Sequence, residues 1–165
     1  MRKQTISQQI KTKARRSLKQ KLTGQKKNYV VDTSAIINKF LPSLIRRGLN
    51  GKIIIPNAVM AELENLANKG REEGFIGLEQ VTKLHKQRNI KIYFQGTRPT
   101  EMQIRYSKSG EIDALIRNIA KKNRAVLVTA DLVQAKSAQA YGIQVIFLRA
   151  KSRIQKKKKF LFWRR

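Results

Sequence analysis

Apolar positions along the chain follow two alternating rhythms. Short apolar runs at "NYVVD" (28–32), "KIIIP" (52–56), "IKIYF" (90–94), "AVLVTAD" (125–131) and "IQVIFL" (143–148) read as strands suited to burial on both faces. Between them, apolar residues return at three- and four-residue spacing. That spacing predicts helices over 34–47, interrupted by Pro42, over 57–69 with Asn57 as N-cap, and over 77–88, 110–123 and 132–142. The stretch 95–109, "QGTRPTEMQIRYSKS", is polar and reads as a long connection. Strand and helix in alternation predict an α/β fold, with a parallel sheet of about five strands flanked by helices.

In such a sheet the loops at the carboxyl ends of the strands build the site. Asp32 in "VVDTSAII" and Asp131 in "LVTADLV" fall at carboxyl ends. Glu62 lies in the helix after the second strand, and Asp113 in the first turn of the helix leading to the fourth. The four acids are therefore expected on one edge of the sheet. Taken singly, each has an ordinary explanation. An aspartate at a helix start caps it or complements its dipole, Asp113 has Arg117 one turn on as a partner, and an acid at a strand end can bind ribose. Taken together they ask for more. Glu62 is followed by Asn65 and Leu66, and Asp131 by Gln134 and Ala135, so neither has a base one turn ahead. Gathered carboxylates repel one another unless a positive charge sits among them. Mg²⁺ or Mn²⁺ takes such oxygens and keeps several waters, and the chemistry that follows is phosphodiester hydrolysis.

Other chemistries fit less well. There is no G-x-x-x-x-G-K-[ST] for ATP and no G-x-G-x-x-G after the first strand. The single histidine, His85, serves no evident nucleophile, and the absence of cysteine removes thiolate zinc and disulfide frameworks. A phosphoaspartate phosphatase would carry an acid where Ser34 stands.

Charge changes the picture of partners. The chain of 165 residues has 37 Lys+Arg against 10 Asp+Glu, a formal net charge of +27. Residues 1–27 hold 10 of the basic residues and 149–165 hold 9, with no acid in either. We therefore divide the chain into a basic N-terminal extension (1–27), a globular domain (28–148) and a basic, aromatic C-terminal tail (149–165). Such a balance attracts a polyanion, with nucleic acid the first candidate and an anionic membrane surface the second. Arg15, Arg16, Lys19, Lys156, Lys157, Lys158, Lys159, Arg164 and Arg165 are candidates for phosphates, and Trp163 for stacking on unpaired bases. No apolar run approaches the roughly 20 residues of a membrane span, and a cytoplasmic setting is expected.

The motifs "VVDTSAII", "KIIIPNAVMAELENLANKG", "GFIGLEQVTKL", "SGEIDALIRNIAKKN" and "LVTADLVQAKSAQAYGI" together resemble the PIN domain family over about residues 28–148. The nearest likeness is to archaeal members in which the domain precedes an ATPase and KH module. The resemblance implies a Rossmann-like three-layer fold and a metal-dependent endoribonuclease. Asp32, Glu62, Asp113 and Asp131 match its acidic positions; Thr33, Ser34 and Thr129 match supporting hydroxyls, and Glu111 is a further candidate. Asn38 stands where relatives often carry an acid, and the ATPase and KH parts are missing, so no ATP-driven role transfers. The rival reading is a non-catalytic RNA-binding or ribosome-associated protein on the same fold, with ribosomal RNA or the ribosome as partner. A homodimer is left open under both.

Overall fold

The structure is a computed structural model and describes residues 27–87, 90–106 and 110–149. Five parallel strands lie in the order β3-β2-β1-β4-β5: β1 (Lys27–Val31), β2 (Gly51–Pro56), β3 (Lys91–Gln95), β4 (Val126–Thr129) and β5 (Val145–Phe147). Among the described residues seven helices connect them: α1 (Thr33–Ile37), α2 (Phe40–Arg46), α3 (Asn57–Asn68), α4 (Glu72–His85), α5 (Glu101–Tyr106), α6 (Glu111–Lys122) and α7 (Leu132–Ala140). The expected α/β architecture is present. Strand β1 is central, and Tyr29, Val30 and Val31 are fully buried, which is why its sequence is an unbroken apolar run. From β1 the chain winds outward through β2 and β3, then returns to add β4 on the other side. This reversal creates a crevice beyond the carboxyl ends of β1 and β4, the usual ligand position in open α/β sheets. Among the described residues no helix is long and apolar enough to cross a membrane.

Helix α6 shows how pattern becomes packing. Ile112, Ile116, Ile119 and Ala120 form the stripe that meets the core, leaving Lys121 and Lys122 exposed in the last turn. The expected helix over 77–88 instead begins at Glu72, because Gly74 and Gly77 are contact points and not helix stops. A Cβ on Gly74 would lie 2.2 Å from the Ala67 backbone nitrogen and 2.7 Å from the Leu63 carbonyl oxygen. A Cβ on Gly77 would lie 2.2 Å from Leu63 Cδ2. The missing side chains let α4 press onto α3.

Other local readings are corrected in the same way. The helix over 34–47 breaks at Lys39, whose φ is 57°, and Pro42 sits harmlessly in the first turn of α2, where amides lack helical partners. Asn57 is not the cap of α3. Pro56 holds that place, and the Asn57 amide donates to the Gly96 carbonyl at 2.6 Å, tying α3 to the turn after β3. The connection 95–109 contains α5, started by a reciprocal cap. The Gln103 amide donates to Thr100 Oγ1 at 3.2 Å, and the Thr100 amide to Gln103 Oε1 at 2.9 Å.

Gly74→Ala is expected to destabilise the fold by about 1–3 kcal/mol, because backbone on α3 cannot yield to the added methyl. A lower urea midpoint with an unchanged slope is the measurement that checks it.

Candidate active site

Strand β1 carries Asp32 to the crevice, and the Asp32 amide donates to the Val128 carbonyl at 3.0 Å, so β1 and β4 stay joined at the edge. The Asp32 side chain is only 5% exposed. Its Oδ2 accepts from Ser34 Oγ at 2.5 Å and from Thr129 Oγ1 at 2.7 Å. Those hydroxyls are themselves held. Ser34 Oγ accepts from the Ala130 amide at 2.9 Å, and Thr129 Oγ1 from the Asp131 amide at 3.0 Å. Each hydroxyl thus passes a backbone dipole onward to the carboxylate.

Helix α3 brings Glu62 to the same edge, half-buried, where its Oε2 accepts from Thr33 Oγ1 at 2.5 Å. Asp113 enters from the first turn of α6, also half-buried. Asp131 is exposed and caps α7, with Oδ1 accepting from the Val133 amide at 2.6 Å and the Gln134 amide at 3.1 Å. The capping reading and the site reading of Asp131 therefore hold together.

The charges of these groups act on one another. Burial pushes the Asp32 carboxyl above its ordinary range; bonds from Ser34, Thr129 and the Thr33 backbone oppose the rise, and the Asp131 charge adds to it. Glu62 is raised by burial, with the Thr33 bond opposing and the charges of Asp32 and Asp113 contributing. Asp113 is raised by burial, then by Asp32 and Asp131, with Arg117 pulling the other way. All ten acids of the chain lie among the described residues. The ion pairs among the described residues, Arg71–Glu73, Lys83–Glu79 and Arg98–Glu64, include none of the four site carboxylates. Arg117 does not pair with Asp113. Its Nη1 donates to Gln134 Oε1 at 2.7 Å, and its guanidinium lies 5.7 Å from the Tyr141 ring centre.

Among the described residues no three acidic or histidine side chains form a group that could hold a metal ion by themselves. The four are an electrostatic cluster at an open edge, not a closed cage. Such an edge suits Mg²⁺ or Mn²⁺, which commonly takes one or two protein carboxylates and completes its shell with water and phosphate oxygens. The donor set fits: hard oxygens, three of them withdrawn from solvent and the fourth exposed, with no ion pair among the described residues.

Residues 29–140 match the model of the PIN domain. The chain belongs to the PIN domain family. A KH and PIN-domain containing protein of Methanocaldococcus jannaschii is 45% identical over 129 residues, covering 75% of this chain and 20% of the relative. A PIN and TRAM-domain containing protein of Bacillus subtilis is 27% identical over 127 residues, covering 73% of this chain and 32% of the relative. This chain thus spans a third or less of the length of these relatives. A solved domain of a functionally unknown protein from M. jannaschii superposes with a TM-score of 0.71 at 45% identity, covering 76% of this chain and 93% of that one. PIN domains are in general metal-dependent nucleases that use Mg²⁺ or Mn²⁺.

Of the expected site residues, Asp32, Thr33, Ser34, Glu62 and Thr129 are joined by hydrogen bonds, directly or through β1 and α1, and Asp113 and Asp131 join the set through charge. Glu111 is exposed at the start of α6, and the acidic charges raising the three carboxyls are those of Asp32, Asp113 and Asp131. Arg15, Arg16, Lys19, Lys156, Lys157, Lys158, Lys159, Trp163, Arg164 and Arg165 lie outside the described residues. Gln134 escaped the sequence reading. It is 0% exposed, and its Nε2 donates to the Asp113 carbonyl at 3.3 Å while its Oε1 takes Arg117. It joins α6 to α7 beneath two of the acids. The available signal was a glutamine three residues after a capping aspartate, on a helix otherwise short of polar residues that turn inward.

The raised carboxyls hold protons in the folded chain at pH values where the unfolded chain has released them. Without a cation, stability at these positions therefore falls as pH rises from about 4 through the raised values. Asp32→Asn removes that penalty and keeps an oxygen to accept from Ser34 and Thr129. In a chelating buffer its melting temperature is expected to exceed that of the wild type at about pH 8, with the gap closing toward about pH 4.

Proposed function

We propose that this PIN domain is a metal-dependent endoribonuclease that hydrolyses RNA phosphodiester bonds, with Asp32, Glu62, Asp113 and Asp131 forming the carboxylate edge that takes Mg²⁺ or Mn²⁺, one or two of them as direct ligands. The observation that carries the reading is the meeting of Asp32, Glu62 and Asp113 with Asp131 at the carboxyl edge of the sheet, the first three raised by burial and then by neighbouring carboxylates, with no ion pair to any of the four among the described residues. A cation bound there supplies Lewis acidity, lowering the pKa of water and offsetting charge on the phosphate. The chain's own contribution is to orient the ligands. Ser34 and Thr129 hold Oδ2 of Asp32 from two sides, Thr33 holds Oε2 of Glu62, and the α7 amides hold Oδ1 of Asp131. Preset donors of this kind spare the site the cost of ordering its carboxylates when substrate arrives. The large positive charge outside the crevice answers a second requirement, drawing in a polyanion that the carboxylates alone would repel.

The concentration of basic residues in 1–27 and 149–165 supports a second reading, in which the protein works by binding RNA, including ribosomal RNA, without cutting it. The two readings part on their need for the carboxylates. Incubation of a mixed panel of structured and single-stranded RNAs in Mn²⁺ or Mg²⁺ is expected to give cleavage by the wild type. The Asp32→Asn/Asp113→Asn double variant should lose more than the roughly 10–100-fold expected for Thr129→Val, which removes only a supporting hydroxyl. If neither wild type nor double variant cuts, and both bind RNA with the same steep salt dependence, the binding reading replaces the nuclease.

A further inference from the structure

The end of the sheet opposite the carboxylates has the reverse charge. Strand register sets Asn28 on β1 beside Lys52 on β2, and Lys52 beside Lys91 on β3. Register partners in a parallel sheet present their side chains to the same face, so these three form one polar row about 10 Å across. Tyr93 lies two residues beyond Lys91, on that same face. The residue is 38% exposed, and Lys52 Nζ stands 5.3 Å from the centre of its ring. At the Asn28 end of the row, a cavity of about 740 Å³ opens between the start of β1, the end of α6 and the turn after α7. Its lining includes Lys27, Lys121, Arg124 and Tyr141, the last 63% exposed. Asn28 belongs to both row and cavity, and its side chain donates to the Asn123 carbonyl at 3.0 Å, fixing the end of α6 against β1.

Ordinary roles account for part of this surface. Lys121 complements the dipole of α6, and scattered surface lysines need no explanation. Three features remain. Lys52 and Lys91 lie on strands and not in a helix's last turn, on a face where Tyr93 is partly exposed. Arg124 has φ 46°, a left-handed position just past the end of α6 that favours glycine, yet carries a long cationic side chain. None of Lys27, Lys52, Lys91, Lys121 and Arg124 makes an ion pair among the described residues, which contain every acid of the chain.

We propose that this face, running from Arg124 at the cavity across Lys52 to Lys91 and Tyr93, is a second contact surface for single-stranded RNA. The lysines and Arg124 would meet successive phosphates, and Tyr93 would stack on an unpaired base. Exposed aromatics among unpaired cations suit a single strand, whose bases present open faces, better than a duplex. The inference shares its RNA ligand with the proposed function but uses none of the crevice residues.

The test is fluorescence polarisation of a labelled 20-nucleotide RNA of mixed sequence with the full chain, titrated at several salt concentrations in a chelating buffer. The site variant is Lys52→Gln/Lys91→Gln/Arg124→Gln; the control, Arg46→Gln/Arg47→Gln/Lys69→Gln, removes the same charge from exposed positions elsewhere. The site variant is expected to bind about tenfold or more weakly, with a salt slope shallower by about 2, and the control to change much less. Tyr93→Leu should weaken binding about fivefold or more while leaving the slope alone. Equal losses in the two triple variants, or no loss in the site variant, would overturn the proposal. So would capture of anionic phospholipid vesicles in place of the oligonucleotide. If the site triple variant does not fold by circular dichroism, Lys52→Gln and Lys91→Gln are measured singly. Each should reduce the slope by about 0.7, and an unchanged slope in both overturns the proposal. Cleavage is not read in this assay, so failure of the nuclease reading leaves its result standing.

Discussion

Burying a carboxylate at the end of the central strand imposes a demand that the surrounding structure is built to meet. Asp32 cannot keep its charge in that position without donors, and the donors arrive from both sides of the crevice. Ser34 comes from the helix that follows the same strand, Thr129 from the end of β4, and both bond to one oxygen. The strand pair, the first helix and the loop into α7 are thereby tied to one another through a single polar atom. Even so, burial outweighs the donors and the carboxyl stays raised. The fold orients Asp32 without neutralising it.

The same parallel topology explains why opposite ends of the molecule carry opposite chemistry. Parallel strands put all their carboxyl ends on one edge and all their amino ends on the other. Asp32, Thr129 and Asp131 follow strand ends, whereas Lys27, Lys52 and Lys91 lie at strand starts. Charges of opposite sign could have paired across the surface, but sheet direction keeps them a strand length apart. What results is an acidic crevice suited to a cation and a basic face suited to phosphates.

Much of this arrangement could be read along the chain. The five apolar runs become the five strands, and the placement of Asp32 and Asp131 at strand ends follows from that alternation alone. The misreadings share a physical cause: local signals were taken at their usual value where a distant partner changed it. Gly74 and Gly77 resemble helix breakers in isolation and are the points where α4 meets α3. Asn57 has the chemistry of a cap, but Pro56 holds that place and the Asn57 side chain reaches Gly96 instead. Thr100 and Gln103 carried a capping pair inside a stretch too polar to look helical. Arg117, one turn from Asp113, takes Gln134 in preference to the acid beside it.

The sequence by itself determined the strand order along the chain, the sheet's direction, the positions of the acids relative to the strands and the excess of positive charge. Each of these depends on local periodicity or composition, which the chain carries without reference to its folded form. Tertiary structure alone decided that Ser34 and Thr129 share one oxygen of Asp32, that Thr33 reaches Glu62, and that Gln134 joins Asp113 to Arg117 from within. It also decided that Asn28, Lys52 and Lys91 stand in one row. Most of these contacts join residues 17 to 97 positions apart, and strand register and helix packing set them. Both are settled by the close packing of the whole core, not by any single segment.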